Sequence, residues 1–142
     1  MVVPKPTFDI DGLQFSTLEG FFNHVSSRIG TGPTWGRYLD AFNDILRGGF
    51  GTPEGGFVLC WNNHDISKRR LGYRHLGYEE TARQLRKRLE RCHPSNVASV
   101  ETELAAALRR EGPTVFDWLV EIILLHCPGG EEQDDGIELI LQ

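Results

Sequence analysis

Two aspartates, Asp40 and Asp44, are the residues of this chain whose type and spacing best suit chemistry. They lie in the run Trp35-Gly36-Arg37-Tyr38-Leu39-Asp40-Ala41-Phe42-Asn43-Asp44-Ile45-Leu46-Arg47-Gly48. Leu39, Phe42, Ile45 and Leu46 keep helical spacing there and predict a helix over 36–47. At positions i and i+4 both carboxylates project from one face, one turn apart. Like charges so placed cost a helix about 0.2–0.5 kcal/mol, and Asp is a poor residue for a helix interior. Two such choices on one face suggest a task, the presentation of negative charge to a cationic partner. The plain alternative is a solvated face with Arg37 and Arg47 as local ion-pair partners, and residue physics alone leaves both open.

Other constellations offer less. Cys92-His93 and His126-Cys127 could supply four zinc ligands on paper, but adjacent residues of a helix point about 100° apart. No CxxC-type spacing occurs, so core thiols and exposed imidazoles are the simpler reading and no metal is expected. No local catalytic signature surrounds Cys60, Cys92 or Cys127, and the chain is not expected to be an enzyme or to carry a cofactor. The glycines at 48, 49, 51, 55 and 56 lack the context of a phosphate-binding loop and read as a connection.

The elements that must hold the aspartates follow from periodicity. Thr7–Ile10 alternates and stops at the turn dipeptide Asp11-Gly12, a short strand. Ser16-Thr17-Leu18-Glu19 has the form of a capping box, with Ser16 as cap. Leu18, Phe21, Phe22, Val25 and Ile29 then continue as a first helix. The aspartate helix ends at Gly48-Gly49, and the apolar run Phe57–Trp61 is a buried strand. Two strands joined through helices suggest a parallel sheet. Helices are further predicted over Tyr78–Cys92, basic and amphipathic, and over Val100–Arg110. The segment from Thr114 to His126 fits a helix or a buried strand, helix being preferred. Ile137–Leu141 is suited to a final strand.

The 142 residues, 39% hydrophobic and 25% charged, suffice for one core and exclude bulk disorder. No membrane-length apolar run and no secretion signal is present, so a soluble cytoplasmic protein of one domain is expected. A net charge of −5 argues against nucleic acid as a direct partner. The charge is uneven, however. Residues 68–110 hold 11 of the 15 Lys and Arg and only 5 of the 20 Asp and Glu, a net +6 against −11 for the remainder.

Taken as a string, Asp9-Ile10-Asp11-Gly12, then Trp35-Gly36, Leu39-Asp40-Ala41-Phe42, Asp44 and Leu46-x-Gly48 resemble the barstar family, small intracellular inhibitors of barnase-type microbial ribonucleases. Phe57–Trp61 with Ser67-Lys68, and the closing Ile137–Gln142, extend the likeness. It is good over roughly 7–71 and weaker over 114–142, whereas 72–112 has no counterpart in the short founding member. The resemblance implies an α/β fold, a small, mostly parallel three-stranded sheet flanked by helices. Extra helices are inserted before the last helix and strand, within a single domain over 1–142.

It also implies a role for the carboxylates. A ribonuclease holds its phosphodiester in a cationic pocket, and an aspartate can take the phosphate's place through charge-assisted hydrogen bonds without being cleaved. Asp44 falls on the family's central inhibitory aspartate and Asp40 on the supporting one. Thr34, Trp35 and Gly36 fall on the loop that covers the enzyme, with Tyr38 and Asn43 in the same binding stretch. Glu121 is the nearest candidate for a third acidic contact from the helix before the last strand. Thr34 and Asn43 stand where the family has aromatic anchors, and Arg37 replaces an acid. These departures remove contact area and negative potential, which points to a cognate enzyme other than barnase. The expectation is an antidote that binds a microbial ribonuclease one to one. The alternative is an orphan interaction module that binds a non-nuclease partner through the inserted basic helices, or a basic block that packs against the acidic body and shapes it.

Overall fold

The computed structural model describes residues 5–29, 39–48, 52–53, 55–72 and 74–142. Three strands, β1 (Thr7–Asp11), β2 (Val58–Asn62) and β3 (Glu138–Leu141), form one parallel sheet in the order β1-β2-β3. The first crossover carries α1 (Leu18–Ile29) and α2 (Leu39–Arg47). The second carries α3 (His64–Leu71), α4 (Arg74–Arg91), α5 (Val97–Leu108) and α6 (Val115–Leu125). The expected α/β architecture is thus found, with every strand pair parallel.

Register explains which strand residues are core. Ile10 pairs with Trp61 and Phe8 with Leu59, while Leu59 pairs with Leu139. Ile10, Leu59 and Trp61 are fully buried, and Phe21, Val25, Phe42, Ile45, Leu119 and Ile123 close over them from α1, α2 and α6. Phe21 packs edge-on against Phe42 at 5.3 Å and lies tilted against Trp61, also at 5.3 Å. Burying each such side chain contributes about 1.5–3 kcal/mol, so the aspartate helix is fixed through its inner face.

Sequence and structure differ at several points, the starts of α4 (Arg74, not Tyr78) and α5 (Val97, not Val100) among them. The cap of α1 is Thr17, whose Oγ1 accepts from the Gly20 N–H at 3.0 Å, and not Ser16. The Leu18 N–H donates instead to Glu80 Oε2 of α4 at 2.7 Å, an acceptor from a distant element that no local pattern announces. Helix α3 was not anticipated: its net composition is polar, and only Ser67 and Leu71 are buried along it. Gly12 is needed for packing rather than for its turn, since a Cβ there would overlap the Asn63 carbonyl oxygen and Ser67 Oγ. The Thr114–His126 ambiguity resolves as a helix, α6. In its capping box Thr114 Oγ1 accepts from the Asp117 N–H and the Asp117 carboxylate accepts from the Thr114 N–H.

The inserted helices are joined to the body. A small cluster of Ala82, Leu85, Val100 and Ala107 lies between α4 and α5, and Trp118 of α6 packs against both this cluster and the main core. The buried Thr81 Oγ1 accepts from the Val115 N–H at 3.0 Å. Glu19 of α1 receives Arg83 at 3.0 Å and Lys87 at 2.9 Å. Part of the basic block therefore does pack against the acidic body, at Glu19.

Candidate functional site

Helix α2 is strongly two-sided. Ala41, Phe42, Ile45 and Leu46 are buried, while Asp40 and Asp44 are exposed, as the i, i+4 spacing predicts. Rigidity of the outer face comes from the inner one, because rotating the helix would pull Phe42 and Ile45, both fully buried, into water.

The two carboxylates differ in their surroundings. Asp44 Oδ1 accepts from Arg47 Nη1 at 2.8 Å, and Arg47 Nε donates to Glu132 Oε1 at 2.8 Å. Glu132 first, and then Asp44, hold the Arg47 guanidinium firmly charged. Both partners of the Arg47–Asp44 pair are about half exposed, so water screens it and leaves it weak. An incoming cation can replace Arg47 at little cost. Asp40 has no ion pair among the described residues, and it borders a groove between α2 and α4.

A buried polar clasp holds the C-terminal half of α2. His126, at the end of α6, is fully buried. Its Nε2 lies 2.6 Å from Asn43 Oδ1 and its Nδ1 lies 2.6 Å from Asp135 Oδ2. Glu132 Oε2 stands 3.6 Å from Nε2, which links the clasp back to Arg47. The chain Asp44–Arg47–Glu132–His126–Asn43 thus returns to α2 one residue from where it began. His126, Glu132 and Asp135 each bring a ligand-type atom within 4.8 Å of the others, the geometry of a possible metal site. Asn43, Arg47 and the carboxylates already satisfy one another, so hydrogen bonding alone accounts for the arrangement.

The remaining expected residues are distributed as follows. Glu121 is exposed on the outer side of α6, beside an apolar hollow that includes Ile122, Leu125 and Pro128. Asn43 is half-buried, its amide turned to His126. Thr34, Trp35, Gly36 and Tyr38 lie outside the described residues. His126 is no exposed imidazole, contrary to expectation, because the 133–135 turn folds back over it. The paired zinc ligands find other partners, Cys127 Sγ donating to the Ile123 carbonyl and Cys92 Sγ to that of Leu89.

The clasp was missed in sequence. Its only signals were a histidine closing an apolar run and an acidic stretch, Glu131–Asp135, that reads equally well as solvated loop.

Comparison with known proteins bears on this site. The family described as Barstar (barnase inhibitor) matches residues 5–99, more than half of the chain, and the match runs from β1 into the first residues of α5. No curated protein matches the chain.

Proposed function

The chain belongs to the barstar family, and from that premise we propose that it is a ribonuclease inhibitor that closes a barnase-type active site with the outer face of α2. One observation carries the reading. Two carboxylates stand exposed on a helix whose opposite face is locked into the core, within a chain that matches a family of barnase inhibitors.

The mechanism follows from charge and rigidity. The inhibitor's acidic body accelerates encounter with a basic enzyme. Asp44 then exchanges Arg47 for an active-site guanidinium or ammonium, occupying the place of the scissile phosphate. Asp40, one turn earlier, extends the same anionic strip. Because the strip is already in place, little ordering cost is charged against binding. Thr34, Trp35 and Gly36, with Tyr38, supply the covering segment, and Glu121 adds an acidic contact from α6. Asn43 serves by holding α2 to His126. With Thr34 and Asn43 lacking aromatic rings, the cognate enzyme is a relative of barnase rather than barnase itself. The protein acts in the cytoplasm as an antidote, without cofactor or metal and without turnover of its own. No described helix is long and apolar enough to cross a membrane.

Titration of RNA cleavage by a panel of barnase-type ribonucleases tests the proposal. The expected result is stoichiometric, one-to-one inhibition that Asp44→Ala weakens by about 3–5 kcal/mol, because a desolvated cation of the enzyme loses its partner. Full inhibition by the Asp44→Ala protein, or none by the wild type against any enzyme, would refute it.

A further inference from the structure

The groove between α2 and α4 encloses about 720 Å³ and has an unusual distribution of charge. Its floor is apolar, with Phe22 and Trp118, while Asp40 stands on the α2 side and Glu19 on the α1 side. Facing them from α4 are Lys87, Arg88 and Arg91. These three cations are not equivalent. Lys87 is paired with Glu19 at 2.9 Å. Arg88 lies over the Trp118 ring, 5.0 Å from its centroid, and only just reaches Glu103 at 3.5 Å. Arg91 is exposed in the last turn of α4 and makes no ion pair or hydrogen bond with any described residue. The side that faces a partner therefore holds one uncommitted guanidinium and one weakly committed beside it.

We infer that this groove receives an acidic side chain from the rim of the same nuclease whose active site α2 plugs, with Arg91 as its principal contact and Arg88 as the second. The inference rests on the inhibitor reading above and specifies the partner's chemistry, a cationic cleft bordered by a carboxylate. Asp40 is common to the α2 strip and the groove, so a body that covers the strip also covers the groove. Covering it sets the Arg91 pair against an apolar floor shielded from water, where an ion pair is stronger than at an open surface. A protein carboxylate fits the site better than RNA. A polyanionic backbone would meet Asp40 and the acidic body together, whereas a single side chain needs one point of entry only.

The sign of the effect separates this contact from the general field. Removing positive charge from an inhibitor should leave unchanged, or slightly tighten, its hold on a basic enzyme. Arg86 is exposed on the same helix and does not line the groove, so Arg86→Glu reports that field. The experiment measures inhibition constants of wild type, Arg86→Glu, Arg91→Ala and Arg91→Glu against the ribonuclease that the wild type inhibits, with thermal melts to verify folding. The expected result is a weakening of tenfold or more by Arg91→Glu, a smaller loss by Arg91→Ala, and none by Arg86→Glu. If Arg91→Glu inhibits as well as Arg86→Glu, the groove contact is wrong while the inhibitor reading stands. If the wild type inhibits no enzyme of the panel, both fall. Binding of a labelled single-stranded RNA by the free protein, abolished by Arg91→Glu, would assign the groove to nucleic acid and overturn the inference.

Discussion

At the scale of the residue, the chain separates groups that act from groups that hold. Asp40 and Asp44 were legible because their spacing is a local property of one helix, and a helix shows its outer face in its sequence. His126 was not. Its partners Asn43 and Asp135 come from α2 and from the turn before β3, and a hydrogen bond between elements distant in sequence leaves no period to detect. Removing it should be costly. His126→Ala is expected to lose about 3 kcal/mol, through the vacated buried volume and the polar groups left without a partner. Urea unfolding would measure that loss. The affinity of the folded variant for a ribonuclease should fall as well, through a displaced α2, and the melting temperature at saturating ligand would show both.

At the scale of the element, periodicity located most helices but misplaced where several of them begin. The pattern Ser16-x-x-Glu19 is a fair local cap, yet Glu19 turns away to Arg83, Lys87 and Gln84 of α4. The competing principle is charge pairing across a helix interface, which outbids a local hydrogen bond when two cations converge. Helix α3 escaped because a polar helix with few inward residues has no apolar stripe. Acid should expose the α1–α4 seam. Burial alone would raise the Glu19 carboxyl, but hydrogen bonds from Arg83 and Lys87 hold it at about 2, below an ordinary value of 4.5. A lowered carboxyl stabilises the fold above its unfolded value and loses that contribution as pH falls through the folded one. The window is therefore pH 4.5 down to about 2. Glu19 is partly exposed, so solvent limits the effect to about 1 kcal/mol. Glu19→Gln is expected to flatten the acid limb of the stability curve by that amount, read from urea midpoints between these pH values.

At the scale of the whole molecule, α4 and α5, the main helices of the +6 block, could have formed a separate appendage. Trp118 prevents this, since it lies against both apolar clusters. Far-UV circular dichroism and tryptophan fluorescence are expected to report one coincident unfolding transition in the wild type. Trp118→Ala, losing about 3 kcal/mol, should separate them, with the α4–α5 pair melting first. The charge imbalance was visible in sequence. That it divides into cations tied to Glu19 and a guanidinium facing a groove was not, because pairing depends on which helix lies alongside.

The position of β2 at the centre of the sheet has a consequence for the order of events in folding. Its two neighbours are reached by different lengths of chain: Trp61 pairs with Ile10, 51 residues earlier, on one side and with Leu141, 80 residues later, on the other. Closing the longer loop is favoured once α3 to α6 have shortened it, since the entropy of bringing distant ends together is lost before the pairing compensates. β3 should therefore dock late, and with it the turn that carries Asp135 to His126. Until that moment α2 is held only by its apolar face, so the molecule becomes a competent plug in its last step of assembly rather than its first.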